Sequence, residues 1–342
     1  MRNPFTPRSR RLRLVAGALA LTTSVAVAGC GTSKNEAAVR DDGSVDLSKV
    51  TLTIGDQKGG SKALLEAAGD LDDVPYKITW KEFTSGPPLL EALNAGAIDL
   101  GGVGNTPPLF AAAAKSKIEV VSGATMGAKG DTIVVPKDSP IKSVADLKGK
   151  TVAVAEGSSA NYDLLAQLAR AGLSYDDIKV KALQPADALA AFSNHHVDAW
   201  AIWDPYTSQA ELEADARILV DGGGLVNGMT FQAANPDALD DKATQVALKD
   251  YLERLAKAQV WSNSHRDEWA KVWSRETGLK DDVTRRAVDR RTARPTPIDK
   301  RITDSEQKMA DAFVKAGLLP EKFDVAKIFS DDYNDSVPGG NA

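Results

Sequence analysis

Gly157-Ser158-Ser159-Ala160 lies between a short β-branched run, Thr151–Ala155, and a segment with Leu164, Leu165 and Leu168 at helical spacing. Gly157 permits a sharp turn, and either serine can act as N-cap. A helix start carries free backbone N–H groups and the positive end of the helix dipole. Two hydroxyls beside it add donors. This arrangement can hold an anion without Lys or Arg. The same serines also suit a plain helix cap, so the surrounding elements must decide. Other reactive types offer less. His195 and His196 sit on a predicted turn before Asp198, and the third histidine is His265. No further ligand spacing joins them, so no metal is expected. The sequence has no G-x-S-x-G elbow, no P-loop and no H-E-x-x-H, and Ser158 has no evident base. No catalysis and no cofactor are expected.

The elements that position this turn occur twice. Val50–Ile54, the turn Gly55–Gly60 and a helix with Leu64 and Leu65 repeat the 151–165 pattern at an offset of 100. The helix-turn-strand-loop run from Leu90 to Pro107 recurs from Leu189 to Pro205, at an offset of 99 through the helix and strand and with the closing proline one residue earlier. Two such echoes predict two similar α/β lobes with parallel sheets. Ligands of such sheets sit beyond the carboxyl ends of the strands. Loops 55–60, 104–107, 156–160 and 203–206 would then converge on one cleft. Thr132–Pro136 and Thr230–Ala234 read as two crossover strands forming a hinge, which makes the first lobe discontinuous. After Pro236 the pattern is helical. Trp261, Trp269 and Trp273 read there as packing. Arg285, Arg286, Arg290, Arg291 and Arg294 read as a solvated face with helical ion pairs. The residues from about Asp331 are expected to fray.

The N-terminus is expected to lie outside this fold. Arg2, Arg8, Arg10, Arg11 and Arg13 form a basic leader before the apolar run Leu14–Val27, which is short for a membrane span. Val27-Ala28-Gly29-Cys30 reads as a lipoprotein cleavage site, with lipidation of Cys30, the single cysteine of the chain. Ser9-Arg10-Arg11 faintly suggests twin-arginine export. Residues 30–48 read as a flexible tether. The chain is thus expected at the outer face of the membrane, lipid-anchored. Removing residues 1–29 leaves 37 basic against 47 acidic side chains, a net of −10, which argues against nucleic acid as a partner. The expected organisation is signal 1–29, tether 30–48, lobe 1 from 49–133 and 231–342, and lobe 2 from 134–230.

With these segments in order, the chain resembles the substrate-binding proteins of ABC transporters. The likeness is greatest to the aliphatic sulfonate branch of the sulfonate, nitrate and taurine group. It rests on Ile54-Gly-Asp-Gln-Lys-Gly59, Ser85–Leu93, Gly104-Asn-Thr-Pro-Pro108, Val135–Pro140 with Asp146–Gly149, Gly157–Ala160, and Val197-Asp-Ala-Trp-Ala-Ile-Trp-Asp-Pro205. The resemblance implies a type II periplasmic-binding-protein fold, an α/β architecture of two lobes joined by two crossover strands. It implies a monomeric binder of a small organic anion that delivers it to a membrane permease and its cytoplasmic ATPase. Carried onto this sequence, the ligand contacts would be Gln57, Lys58, Asn105, Thr106, Ser158, Ser159, Trp203 and Asp204. The family usually has Asp where this chain has Asn105, often His in place of Asn161, and aromatics near Met229 and Thr230.

A sulfonate wants donors only, since it carries no proton near neutral pH. The Ser158 and Ser159 hydroxyls, the N–H groups of 158–160, Asn105 and Thr106 would supply them. Gln57 can donate through its amide, whereas Lys58 either joins it or points to solvent. Trp203 either faces an alkyl tail or fills the core. Asp204 either binds an amino group on the tail or caps the turn before Pro205, and Tyr162 is placed near the cleft by its position on the first helical turn. Nitrate, taurine, a sulfate ester or a thiamine-precursor pyrimidine would suit the same transport role. An exported enzyme on the same bilobal scaffold is the alternative of a different class.

Overall fold

The computed structural model describes residues 34–338, so the segment 1–29 expected to be a signal peptide and Cys30 lie outside the described residues. The β-branched runs pair into two sheets. The first is built from Thr51–Gln57 (β1), Lys77–Phe83 (β2), Leu100–Gly104 (β3) and Glu119–Thr125 (β4). The second follows, with Thr132–Pro136 (β5), Thr151–Val154 (β6), Lys179–Ala182 (β7), Ala199–Ile202 (β8) and Ala216–Asp221 (β9). The chain then returns to the first sheet as Met229–Ala234 (β10) and later Arg294–Thr296 (β11). The strand orders are β11-β4-β10-β3-β1-β2 and β7-β6-β8-β5-β9. Setting β11 aside, the two orders superpose strand for strand, which is the duplication that the sequence echoes predict.

The parallel pairing expected from the strand–helix alternation holds only in part. β1 runs parallel to β2 and β3, and β6 runs parallel to β7 and β8. The fourth position of each sheet is antiparallel and is filled by chain arriving from the other lobe: β10 beside β3, and β5 beside β8. The two runs read as hinge strands are therefore inner strands of separate sheets. The connections themselves are residues 126–131 and 222–228. They touch backbone to backbone: a Cβ on Gly228, whose φ is +61°, would stand 2.7 Å from the Gly127 carbonyl carbon.

Helices cover the sheets. Ser61–Ala68 (α1), Gly86–Asn94 (α2) and Pro107–Ala113 (α3) follow the strands of the first lobe. Ser159–Arg170 (α4), Pro185–Ser193 (α5) and Tyr206–Glu213 (α6) follow those of the second. After β10 come Pro236–Asp240 (α7), Lys242–Ser262 (α8), Arg266–Thr277 (α9), Asp281–Asp289 (α10) and Lys300–Lys315 (α11). Leu52 and Ile54 of β1 are fully buried against Leu248, Tyr251 and Leu252 of α8 and Trp273 of α9. Full burial of one such aliphatic side chain is worth roughly 1.5–3 kcal/mol. A separate apolar cluster joins the lobes, with Leu109 of α3, Leu165 of α4 and Met309 and Phe313 of α11.

Two terminal segments differ from expectation. Residues 34–48 are not a free tether. Asn35 is buried, donates to Thr244 Oγ1 at 2.8 Å and accepts from the Thr51 N–H at 3.0 Å. Lys34 pairs with Asp99 at 2.7 Å, and Ala38 is 1% exposed. Near the C-terminus, Asn334 exchanges side-chain bonds with the backbone of Ile298 at 2.7 and 2.9 Å, and Val337 is buried. Both segments are held by asparagine amides satisfying backbone groups, a device with no hydrophobic period to read.

Candidate functional site

The loops at the carboxyl ends of the parallel strands meet around a cavity of about 180 Å³. Lobe 1 contributes residues 56–61 and 102–104, and lobe 2 contributes Ser158, Ser159, Trp203 and Asp204. Both connections between the lobes also line it, through Asp131 and Gly228 among others. Of the residues expected at the site, Gln57, Lys58, Ser158, Ser159, Trp203 and Asp204 face this cavity. Asn105, Thr106 and Tyr162 do not line it.

The start of α4 is built as the sequence suggests, with a difference in where the protons go. Ser158 is the N-cap and accepts from the Asn161 N–H at 3.3 Å. Its own hydroxyl donates to the Ala155 carbonyl at 2.6 Å. The Ser159 hydroxyl donates to Asp131 Oδ1 at 2.8 Å. Neither serine therefore offers its proton to the cavity, which corrects the expected pair of hydroxyl donors. The N–H groups of Ser159 and Ala160 remain, since the first turn of a helix gives them no internal acceptor. Asn161 holds the turn by accepting from the Gly157 N–H at 3.0 Å and donating to Tyr175 Oη at 2.7 Å.

The matching helix start in lobe 1 is closed. Asp56 accepts from the N–H groups of Ser61 and Lys62, both at 2.9 Å. Burial pushes its carboxyl up to about 6, against the opposing pull of those same N–H groups. An internal carboxylate thus occupies the start of α1, whereas no side-chain carboxylate among the described residues accepts from the first N–H groups of α4. Loop 104–107 supplies no helix-start donors, because α3 opens with Pro107-Pro108 and proline has no N–H. Asn105 and Thr106 are buried for a structural reason. Asn105 donates to Asn227 Oδ1 at 2.7 Å, and Thr106 donates to Asn105 Oδ1 at 3.0 Å. Asn227 in turn donates to Glu306 Oε1 at 2.7 Å, so this chain ties the loop to a lobe connection and to α11. Burial raises the Glu306 carboxyl to about 8. Tyr162 packs on Phe313 at a ring separation of 5.8 Å, in the apolar cluster between the lobes.

Gln57 donates to the Gly102 carbonyl at 2.9 Å, while the Lys58 ammonium sits 5.6 Å from the Tyr206 ring centroid. Gly59, with φ +74°, allows close approach of the indole beneath it: a Cβ there would lie 1.3 Å from Trp273 Nε1. Asp204 is buried and accepts from the N–H and hydroxyl of Ser208 at 3.0 and 2.6 Å, and is therefore a cap, joined to Pro205 by a cis peptide. It also pairs with Arg290 at 3.2 Å.

Sequence reasoning missed the C-terminal part of the site. Arg290 and Arg291 are not a solvated face. Arg290 crosses to lobe 2, where it meets Asp204, Ser208 and Glu211. Arg291 lines the cavity, its guanidinium carbon 4.7 Å from the Trp273 ring centroid and 5.9 Å from that of Trp269. Trp269 lines the cavity too and stacks on Trp273 at 5.5 Å. The alternation of Arg with Asp in α10 hid this, because the two cleft arginines fall just past the last helical turn. Asp131 was also unmarked. Burial pushes its carboxyl up to about 6, with Ser159 and Arg291 acting the other way.

The comparisons with known proteins follow this geometry. Residues 82–240 match the family model described as NMT1/THI5 like. A protein of Escherichia coli (strain K12) named for binding aliphatic sulfonates is 39% identical over 287 residues, covering 82% of this chain and 88% of that protein. The alkanesulfonate-binding protein SsuA from Xanthomonas axonopodis pv. citri, solved bound to MOPS, matches with a TM-score of 0.77 at 39% identity, over 82% of this chain and 98% of that one. The periplasmic aliphatic sulphonate binding protein SsuA from Escherichia coli matches with a TM-score of 0.71 at 38% identity, over 81% and 91% of the two chains. At this identity and coverage, a two-lobed fold with its cavity between the lobes places the chain in the family of aliphatic sulfonates-binding proteins.

Proposed function

We propose that this protein is the solute-binding component of an ABC importer, capturing an aliphatic or aryl sulfonate between its lobes and passing it to a membrane permease driven by a cytoplasmic ATPase. The observation that carries this reading is the start of α4. Ser158 and Ser159 at this start line a cavity shared by both lobes, while the equivalent start of α1 is filled by Asp56. A sulfonate accepts hydrogen bonds and donates none, so it matches such a site. A monoprotonated phosphate ester would set its own donor against these donors, at a cost of ~1–3 kcal/mol. Trp203 offers an apolar face to the tail.

Binding without chemistry is the consistent reading. His195 and His196 follow α5, away from the residues lining the cavity, and His265 stacks on Trp261 at 4.4 Å. Among the described residues, the Ser158 hydroxyl is bonded to the Ala155 carbonyl and the Asn161 N–H and to no titratable side chain. The leader and Cys30 support a lipid anchor at the outer membrane face, which would raise the effective concentration of the binder near its permease. The mass of the membrane-extracted chain checks the anchor: a chain beginning at an unmodified Cys30 or elsewhere would exclude it.

Thermal shift against alkanesulfonates, taurine, nitrate, sulfate, phosphate and a pyrimidine tests the ligand. A ligand at a hundredfold excess over Kd stabilises the folded state by ~2.7 kcal/mol. Stabilisation by sulfonates is expected. A response to nitrate or the pyrimidine alone would reassign the ligand, and no response to any would remove the reading.

A further inference from the structure

We propose that Arg291 is the counter-charge that selects an anionic head group in the cleft, through the two-pronged face of its guanidinium. The inference rests on the sulfonate reading above and adds the residue that recognises the charge.

Two adjacent arginines set the contrast. Arg290 directs Nη1 to both Asp204 carboxylate oxygens, at 3.2 and 3.3 Å, and to Ser208 Oγ at 2.8 Å, and directs Nη2 to Glu211. Its charge is fully answered by lobe 2. Arg291 makes one side-chain hydrogen bond among the described residues, from Nη2 to the neutral Asp204 carbonyl at 3.0 Å, and no ion pair. A guanidinium presents five N–H donors. Four of them have no acceptor among the described residues, on a side chain that lines the cavity.

The rest of the cavity leaves this role open. The serine hydroxyls donate elsewhere, to Ala155 and Asp131. The Lys58 ammonium lies over the Tyr206 ring. The α4 start supplies partial positive charge but no full cation. Arg291 also stands against the stacked pair Trp273 and Trp269. Indole faces attract a guanidinium and restrict its swing. Held this way, the planar fork can meet two oxygens of a sulfonate at once, which a lysine ammonium cannot reproduce. Burial disfavours the charged form of Arg291 and pulls it below its ordinary value, despite the attraction of Asp204 and Asp131. An anion arriving beside it would relieve that cost.

The test uses the purified full-length protein and two probes of equal shape, hexanesulfonate and the neutral hexanesulfonamide, titrated by calorimetry. Wild type should prefer the sulfonate. R291Q should lose about 10- to 100-fold in hexanesulfonate affinity, the usual scale for losing charged hydrogen bonds. Its affinity for the sulfonamide should change little, so the preference collapses. A merely structural role would weaken both probes together. R291K keeps the charge and the aliphatic stem, so it remains informative if R291Q fails to fold; it should lose roughly tenfold with the fork removed. Hexanesulfonate affinity within about twofold of wild type in either folded variant, or equal losses for both probes, would overturn the assignment. A wild type that binds no sulfonate at all removes the reading beneath it, and the assignment with it.

Discussion

Asp131 is the residue that should make binding depend on pH. It accepts from Ser159, lines the cavity, and is close enough to Arg291 for each charge to act on the other. Burial is the largest influence on its carboxyl and raises it to about 6 from 3.8. The folded state therefore holds this proton more tightly than the unfolded chain. The group's contribution to stability is complete below 3.8 and is lost as pH rises through about 6. Binding follows the same direction for a separate reason. Above about 6 the ionised carboxylate repels an anion beside Ser159 and competes for Arg291. Sulfonate affinity should fall as pH rises from 5 to 8, by about five- to tenfold, a scale set by one like charge at intermediate dielectric. Asp131→Asn keeps an acceptor for Ser159 and removes the charge, so its affinity at pH 8 should rise toward the wild-type value at pH 5. Part of the slope should survive, because Asp56 titrates in the same range. Calorimetric titrations at four pH values decide it; parallel profiles for the two proteins would dismiss Asp131 as the cause.

At the scale of elements, two duplicated helix starts have diverged in use. Ser158 caps α4 through its oxygen and gives its proton to the Ala155 carbonyl of the preceding turn, so Ser158→Ala should cost ~1 kcal/mol of stability, in the usual range for an N-cap. Chemical denaturation measures that loss. Sulfonate affinity should drop by less than about fivefold, because the Ser158 proton is already held by the Ala155 carbonyl. A large loss of affinity with unchanged stability would instead return the hydroxyl to the ligand. This is also where the limits of reading the chain are clearest. The β6-turn-α4 unit was legible because its signals are local: a β-branched run, a glycine, a serine cap and leucines at helical spacing. The repeat was legible because it is a spacing. Asp56 was not, since a carboxylate capping the helix five residues on looks like any polar loop residue. The antiparallel fourth strands were not legible either, because strand direction there depends on which lobe the chain enters from. Trp269 and Trp273 lie on helical faces that read as packing, and they do pack. What the pattern could not convey is that the packed pair forms a floor for Arg291 at the cavity wall.

For the whole molecule, the question is what holds the lobes together. Part of the joint is apolar and permanent, in the cluster shared by α3, α4 and α11. Across the cleft the contacts are polar. Ser85 donates to Gln184 Oε1 at 2.8 Å, Lys280 meets Glu213 at 3.1 Å, and Arg290 bridges to Asp204 and Glu211. The Arg290 cluster is the most enclosed of these, with side-chain exposure of 17% for Arg290 and 1% for Asp204. An enclosed pair resists separation because removing one partner strands the other charge. The cluster therefore ties the lobes together in addition to the apolar joint. Arg290→Ala should leave Asp204 unpaired in its cap. It should cost ~2–4 kcal/mol, less than a fully buried pair because Arg290 keeps some contact with water. If that cost is relieved by opening, small-angle scattering should give a larger radius of gyration for the variant, and sulfonate should restore the wild-type value. Apparent affinity would then fall by the fraction of molecules still closed, with recognition of the head group intact. The variant should thus retain its preference for hexanesulfonate over hexanesulfonamide while binding both more weakly, the opposite of the pattern expected at Arg291. Unchanged stability and an unchanged radius in Arg290→Ala would mean that the Arg290 cluster does not set lobe closure.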